Sequence, residues 1–329
     1  MPTTWDSISD AADPRGFELS SLLRVHGRYT AVLVLFAVAC ACMIFTPSAT
    51  SGAWLWVAAV FIVGLPHGAY DLAAIRRTSP TWRISALRFS AYSLVLLACI
   101  GFFLALPAAA VVAFLLLAAH HFGISDSVWT RGRVNLAWSD HLVGLGRGLV
   151  VLFGPFAFQP SASLAPFASI VRLVHPMPDP QPAAIASLAT ILVLIGFALV
   201  LAASMRTRRR GRTEEWATLA AVVTLSALAP PLVAIGSYFL VIHALGHCLR
   251  ALTPGRPVHA RHFSNAVRVH RESLPLLVPS VLIVLILAAL VFDASAQAIA
   301  TSFLIFCVVA TLPHHLLWMT SSRWTDLPP

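Results

Sequence analysis

The sequence contains no lysine, few charged residues and no cysteine pair of the CxxC type. Only 11% of its 329 residues are charged, whereas about a quarter of the residues of a soluble domain carry charge. Hydrophobic residues make up 58% of the chain, and its mean hydropathy is +0.83. The five cysteines lie in apolar segments, so no disulfide framework is expected. These absences exclude a soluble globular domain and indicate an integral membrane protein.

The positive charge of the chain comes from arginine alone and gives a formal net charge of +9. A basic excess of this size can indicate nucleic-acid binding. The arginines, however, lie in short segments between apolar runs, where membrane topology accounts for them. We therefore expect membrane lipid around the chain and no nucleic-acid partner.

Long apolar runs, separated by proline, glycine and charged clusters, divide most of the chain. A span needs about 17–25 apolar residues, and a β-barrel would show short alternating segments instead. The sequence therefore predicts an all-α, polytopic transmembrane helical bundle of about ten spans. They are Tyr29–Phe45, Ala53–Ile75, Ala86–Leu106, Ala108–Asp126, Asp140–Phe158, Ala183–Met205, Glu214–Ala229, Pro231–Leu252, Leu274–Phe292 and Ala296–Trp318. We expect residues 1–28 to form a polar cytoplasmic segment, residues 29–320 a single transmembrane domain that carries any catalytic site, and residues 321–329 a short tail.

The arginines provide a test of this topology. If the N-terminus is cytoplasmic, 20 of the 22 arginines fall in segments on the cytoplasmic side. Arg172 is then the outer exception, and Arg147 falls within the fifth span. Such a bias is typical of multi-pass proteins of a bacterial inner membrane. We therefore expect both termini to be cytoplasmic and the protein to lie in the inner (plasma) membrane.

Four histidine-containing stretches interrupt the apolar runs. Their sequences are GLPHGAYDL at Gly64–Leu72, AHHFGISD at Ala119–Asp126, SYFLVIHALGHCLR at Ser237–Arg250 and LPHHLLW at Leu312–Trp318. His243 and His247 lie four residues apart, which is about one helical turn, so both imidazoles leave the same face of a helix. A helix uses this spacing to give two nitrogen ligands to one metal ion.

The predicted topology brings these histidines to a similar depth. The second, fourth, eighth and tenth spans all run inwards, and His67, His121, His243 and His247 lie about 12–16 residues into them. At about 1.5 Å per residue, these four imidazoles lie within roughly 6 Å of one another along the membrane normal. The sequence therefore predicts that imidazoles from three spans can meet in the cytoplasmic half of the bilayer.

Each histidine taken alone is more often a hydrogen-bonded core residue than a metal ligand. Six buried imidazoles would, however, need six polar partners, and Asp71 and Asp126 are the main acids nearby. A shared metal ion resolves this shortage, with the acids orienting its ligands. Neutral imidazoles without a thiolate are suited to Fe(II), Zn or Cu.

The motifs GLPHGAYD, HHFGISD, HALGH and LPHHLL, in this order and spacing, resemble those of the Brp/Blh family of bacterial and archaeal β-carotene 15,15′-dioxygenases. The resemblance covers about Ala53 to Trp318. It implies a multi-spanning enzyme that uses Fe(II) and O₂ to cleave β-carotene at its central double bond into two all-trans-retinal molecules. It also implies a functional link to a microbial rhodopsin that would use the retinal.

Carried over by motif, the resemblance implies that the catalytic Fe(II) ligands are His67, His121, His243 and His247. Five further residues are candidates for a supporting role around the metal: Asp71, Asp126, His120, His314 and His315. Five aromatic residues are candidates for substrate contact, although plain packing is the commoner role of such side chains: Tyr70, Phe122, Tyr238, Phe239 and Trp318.

Two other classes of protein remain alternatives at this point. A membrane di-iron desaturase or hydroxylase also uses clustered histidines, but it needs about eight in HxxxH and HxxHH arrangements, and this chain has one HxxxH and no HxxHH. A transporter can use buried histidine and aspartate as a proton relay, but internal repeats, which would favour it, are not evident. The metal content distinguishes these classes: one iron for the dioxygenase, two for the desaturase type, none for the transporter.

Overall fold

The computed structural model describes residues 32, 34–44, 51–131, 138–176, 178, 181–205, 209–251, 263–291 and 295–320. All regular structure in these residues is helical, as predicted. The predicted polar N-terminal segment and the tail at 321–329 lie outside the described residues. The helices are α1 Val34–Ile44, α2 Ser51–Ala59, α3 Leu65–Ala69, α4 Asp71–Thr78, α5 Trp82–Ala105, α6 Pro107–Arg131, α7 Trp138–Phe158, α8 Pro160–Arg172, α9 Pro182–Ser204, α10 Arg209–Leu228, α11 Pro231–Tyr238, α12 Leu245–Ala251, α13 Phe263–Val291 and α14 Ala296–Thr320.

Within the part of the chain that the structure describes, eight helical stretches are long and apolar enough to cross a membrane, which indicates a membrane protein. They coincide with eight of the ten predicted spans. The first and seventh predicted spans correspond to the shorter apolar helices Val34–Ile44 and Glu215–Leu228. The count of ten spans and the cytoplasmic termini therefore stay predictions.

One helix was not predicted as an element. Helix α8 follows α7 after a single residue, Gln159, and is only 13 residues long. The side chain of Gln159 donates hydrogen bonds to the carbonyls of Ser226 and Ala229, which fixes the connection against α10. A hydropathy reading assigns this segment to a loop because it is too short to span a bilayer and contains Pro166.

Glycines bring α6, α7 and α9 into backbone contact. A Cβ on Gly123 would lie 1.6 Å from the carbonyl oxygen of Gly144, and one on Gly148 would lie 1.6 Å from that of Ala119. Helices in a bilayer associate through such close packing, because lipid gives them no hydrophobic drive. This contact fixes the position of α6, which carries one of the candidate ligands.

Two spans change from α-helical to π-helical geometry beside the histidines. The first π-helical segment, Val60–Gly64, lies between α2 and α3, and the second, Phe239–Ala244, lies between α11 and α12. Such insertions are often found at functional sites, because they change the direction in which the following side chains leave the helix. The first precedes His67 by three residues, and the second contains His243.

Candidate metal centre

Five imidazoles from four spans meet inside the bundle. The ring centre of His121 on α6 lies 5.0 Å from the ring centres of His243 and His314 and 5.8 Å from that of His247. The ring centre of His67 on α3 lies between 5.2 and 5.6 Å from those of His243, His247 and His314. The structure thus brings together the four histidines predicted as ligands, and His314 of α14 is the fifth histidine of this cluster.

The donor atoms of this cluster point towards a common interior. One ring nitrogen from each of His67, His121 and His314 lies within 4.8 Å of the other two. The Nε2 atoms of His121, His243 and His314 are buried and have no hydrogen-bond partner among the described residues. A buried polar atom without a partner costs about 1–3 kcal/mol. A metal ion bound by these nitrogens removes that cost, so the donor set fits a metal site.

The carboxylate of Asp71 holds His314 from behind. Asp71 is fully buried, and both of its oxygens lie 2.9 Å from Nδ1 of His314. The same carboxylate accepts hydrogen bonds from the indole of Trp318 at 3.1 Å and the hydroxyl of Tyr92 at 3.0 Å. The ring of His314 is therefore fixed with Nδ1 as the donor and Nε2 facing the interior.

Asp126 makes an equivalent arrangement with His243. Nδ1 of His243 donates to Asp126 Oδ1 at 3.1 Å, and the hydroxyl of Tyr238 donates to Oδ2 at 2.5 Å. All three side chains are buried. A carboxylate behind a ligating histidine fixes the tautomer and makes the other ring nitrogen a better donor to a metal. Both aspartates thus hold histidines of the cluster, and their role around a metal ion stays a prediction.

His121 is supported by other histidines instead of a carboxylate. Its Nδ1 lies 3.1 Å from Nδ1 of His315, and Nε2 of His315 lies 3.1 Å from Nδ1 of His120. If Nε2 of His121 faces the interior, the hydrogen-bond network assigns its proton to Nδ1, which then donates to His315. His315 in turn donates to His120. The two histidine pairs of the sequence thus each have one ring in the cluster and one behind it.

The first π-helical segment and Pro66 set the orientation of His67. Nδ1 of His67 lies 2.5 Å from the carbonyl oxygen of Gly64, to which it donates. Pro66 has no N–H to give to the carbonyl of Ile62, four residues earlier. That carbonyl instead accepts a hydrogen bond from Nε2 of His270 on α13. The break in the α-helical pattern therefore orients His67 and ties this span to α13.

A lining of mainly apolar side chains adjoins the cluster. It encloses a cavity of about 310 Å³ that His67, His121, His243 and His314 border directly. Phe122 stacks on His243 with ring centres 4.0 Å apart, and Phe239 lies 5.7 Å from His67. The other aromatic residues of the wall are Trp56, Phe89, Tyr92, Phe114, Phe156, Phe167, Phe303 and Phe306. The cavity offers a lipid-soluble molecule an apolar environment next to the imidazoles.

Two of the five aromatic residues predicted to contact substrate, Phe122 and Phe239, line this cavity. The other three do not belong to its wall. Tyr238 and Trp318 hold the two aspartates, and Tyr70 is buried in the hydrophobic cluster around Val63 and Phe303. The aromatic residues that the sequence analysis missed carry no motif, since an apolar side chain on a span can face lipid, a neighbouring helix or a cavity.

A buried ion pair near the histidine cluster was also not predicted from the sequence. Arg147 of α7, assigned only to the interior of a span, is 1% exposed and forms a two-pronged contact with Glu215 of α10. A charged pair buried at membrane depth requires good geometry to offset the loss of hydration. The position of Arg147 within a predicted span was the available signal for such a partner.

The comparisons with known proteins agree with this architecture. A family model described as Beta-carotene 15,15'-dioxygenase matches residues 58–320, and this range contains all five clustered histidines. The chain is similar to the beta-carotene 15,15'-dioxygenase of uncultured marine bacterium 66A03, with 29% identity over 198 residues, 59% of this chain and 67% of that protein. No solved structure matches the chain. The resemblance read from the histidine motifs is confirmed, and the chain belongs to the beta-carotene 15,15'-dioxygenase family.

Proposed function

We propose that this protein uses Fe(II) and O₂ to cleave β-carotene at its central 15,15′ double bond, giving two molecules of all-trans-retinal. Family membership supports carotene cleavage. The observation that carries the finer proposal is the convergence of buried, unpaired imidazole nitrogens beside an apolar cavity. An all-nitrogen, thiolate-free donor set is suited to Fe(II).

The imidazoles would hold the iron with their Nε2 atoms, and their Nδ1 atoms would keep the rings in place. Asp71, Asp126 and His315 each engage one Nδ1 atom, and the carbonyl of Gly64 engages that of His67. Fe(II), when bound, supplies the redox chemistry that lets O₂ react with a closed-shell hydrocarbon.

The cavity wall would position the polyene and keep water out. Aromatic rings such as Phe122 and Phe239 lie against the imidazoles and present flat apolar faces. A hydrocarbon that enters from lipid gains little hydrophobic free energy, so close van der Waals packing against this wall would hold it. The wall offers few polar atoms, so the substrate would be held by shape and close packing, with its central bond beside the imidazoles and one half of the polyene on each side of them.

The proposal is tested by producing the chain in bacterial cells that make β-carotene. We expect loss of the yellow colour and accumulation of retinal, and with ¹⁸O₂ we expect label in the aldehyde oxygen of both product molecules. Replacing His121 by Ala should remove retinal formation, because the nitrogen at the centre of the cluster is lost. His175→Ala is the matched control, since His175 is exposed at the end of α8.

Two results would contradict the proposal. One is retinal production by His121→Ala at the wild-type level, measured against equal amounts of membrane-inserted protein. The other is label from ¹⁸O₂ in only half of the retinal, which would indicate that water supplies the second oxygen.

A further inference from the structure

The two histidines of the LPHHLL motif have opposite surroundings. His314 turns its Nε2 into the cluster, where this atom is buried and unpaired. His315 uses both of its ring nitrogens, one towards His121 and the other towards His120. Adjacent residues on an α-helix differ by about 100° in direction, so only one of the pair can face the centre. His315 has no nitrogen left for a metal, whereas His314 has one.

The ring and donor atoms of His314 lie close to those of the other clustered histidines. Together with His67 and His121 it forms a group whose donor atoms all lie within 4.8 Å of one another. Its ring centre lies 5.0 Å from that of His121 and 5.5 Å from that of His247. A residue that only shaped the cavity would not need a nitrogen at this position.

The Nδ1 side of the His314 ring is held in the way that is usual for a metal-binding histidine. Asp71 receives Nδ1 of His314 on both oxygens and is itself fixed by Tyr92 of α5 and Trp318 of α14. The arrangement matches that of Asp126, Tyr238 and His243. A buried carboxylate that aligns an imidazole is the usual outer partner of a metal-binding histidine.

We propose that His314 is a direct ligand of the metal, oriented by Asp71, so that α14 contributes to a five-imidazole centre. The inference rests on the proposed function, which supplies the metal. A five-imidazole set leaves an octahedral ion one open position, whereas four imidazoles leave two. The assignment also gives α14 a second role, because the same helix lines the cavity from His314 to Gln297.

The test uses full-length protein purified in detergent, stripped of metal and titrated with Co(II), whose visible absorption reports coordination number and ligand type. For His314→Ala we expect affinity to fall by more than about 100-fold and the absorption bands to change. For Asp71→Asn we expect about a 10- to 100-fold loss with the bands retained. Added imidazole should restore the wild-type bands in His314→Ala by occupying the vacated space.

Two further variants separate ligation from structural support. His314→Gln keeps a hydrogen-bond donor for Asp71 but offers no imidazole, so it should lose the bands although it folds. His315→Ala is the neighbouring control and should keep the bands, with weaker binding only. Wild-type affinity and bands in His314→Gln would overturn the assignment and leave carotene cleavage standing. A wild-type protein that binds no Co(II) or Fe(II) would overturn both.

Discussion

The two sides of the bundle differ in how they are packed. On the side where α7 packs against α6 and α9, backbones touch through glycine, and 67% of the α7 span is buried. On the side formed by α5 and α13, only 6% and 11% of the spans are buried, and both helices line the cavity. One side can hold a ligand in place, and the other leaves apolar surface open to lipid. The candidate metal centre lies where the two sides meet.

The histidines of the candidate centre are supported in two different ways. His121, on the packed side, is backed by His315 and His120. His314 and His243 are backed by carboxylates anchored to aromatic hydroxyl and indole groups. Close backbone packing near His121 and buried carboxylates behind His243 and His314 both restrict the rings, which is the requirement for a preorganised site.

The largest expected effect comes from a substitution that separates the closely packed helices α6 and α7. Gly148→Ala places a Cβ within 1.6 Å of the carbonyl oxygen of Ala119, and a backbone atom cannot yield without separating α6 from α7. We expect no monodisperse protein after detergent extraction, measured by size-exclusion chromatography. Gly101→Ala, where a Cβ meets no atom within 4 Å, should be extracted like the wild type. Equal behaviour of the two variants would show that backbone contact does not hold these helices together.

Removal of a cluster imidazole should abolish activity without loss of the fold. In His243→Ala the proposed metal centre loses a nitrogen, and Asp126 loses its contact with His243. We expect retinal formation to fall by more than about 100-fold, measured by chromatography of cell extracts, with unchanged elution on size exclusion. Retinal at the wild-type level would remove His243 from the ligand set.

Breaking the buried ion pair between Arg147 and Glu215 should mainly lower the stability of the fold. Arg147→Met leaves Glu215 buried and unpaired, and we expect a loss of about 3–5 kcal/mol in the free energy of unfolding. The double variant Arg147→Met/Glu215→Met removes both charges and should recover most of that loss. The measurement is denaturant unfolding in mild detergent. A double variant as unstable as the single one would contradict this account of the pair.

The smallest effect is expected within the cavity wall. The hydroxyl of Ser163 is buried, lines the cavity and has no hydrogen-bond partner in the described residues. Because β-carotene is a hydrocarbon, Ser163→Ala should leave KM unchanged or lower it by about 2- to 5-fold, since burying an unpaired hydroxyl is unfavourable. The check is KM for β-carotene in detergent micelles. A clear rise in KM would indicate that the substrate carries a polar end group.

The sequence predicted the fold class and the meeting of His67, His121, His243 and His247, because both depend on length and depth along the membrane normal. Span length follows from hydropathy, and depth follows from counting residues. Neither quantity depends on which way a helix is rotated about its axis.

The sequence did not predict how each helix is rotated about its own axis. His314 and His315 are neighbours in an apolar run, so hydropathy cannot tell which of them faces inwards. A π-helical segment adds about one residue to a turn and shifts every later side chain around the axis, and neither segment has a clear sequence signature. The partner of Arg147 lies 68 residues away on a short helix, so pattern alone could not identify it.

The most direct test of the account is the iron content of the purified protein, reconstituted under anaerobic conditions and measured by inductively coupled plasma mass spectrometry. The convergence of five imidazoles on one interior predicts one iron atom per chain in the wild type and none in His121→Ala. Two iron atoms per chain, or no iron in a folded wild-type protein, would contradict the account.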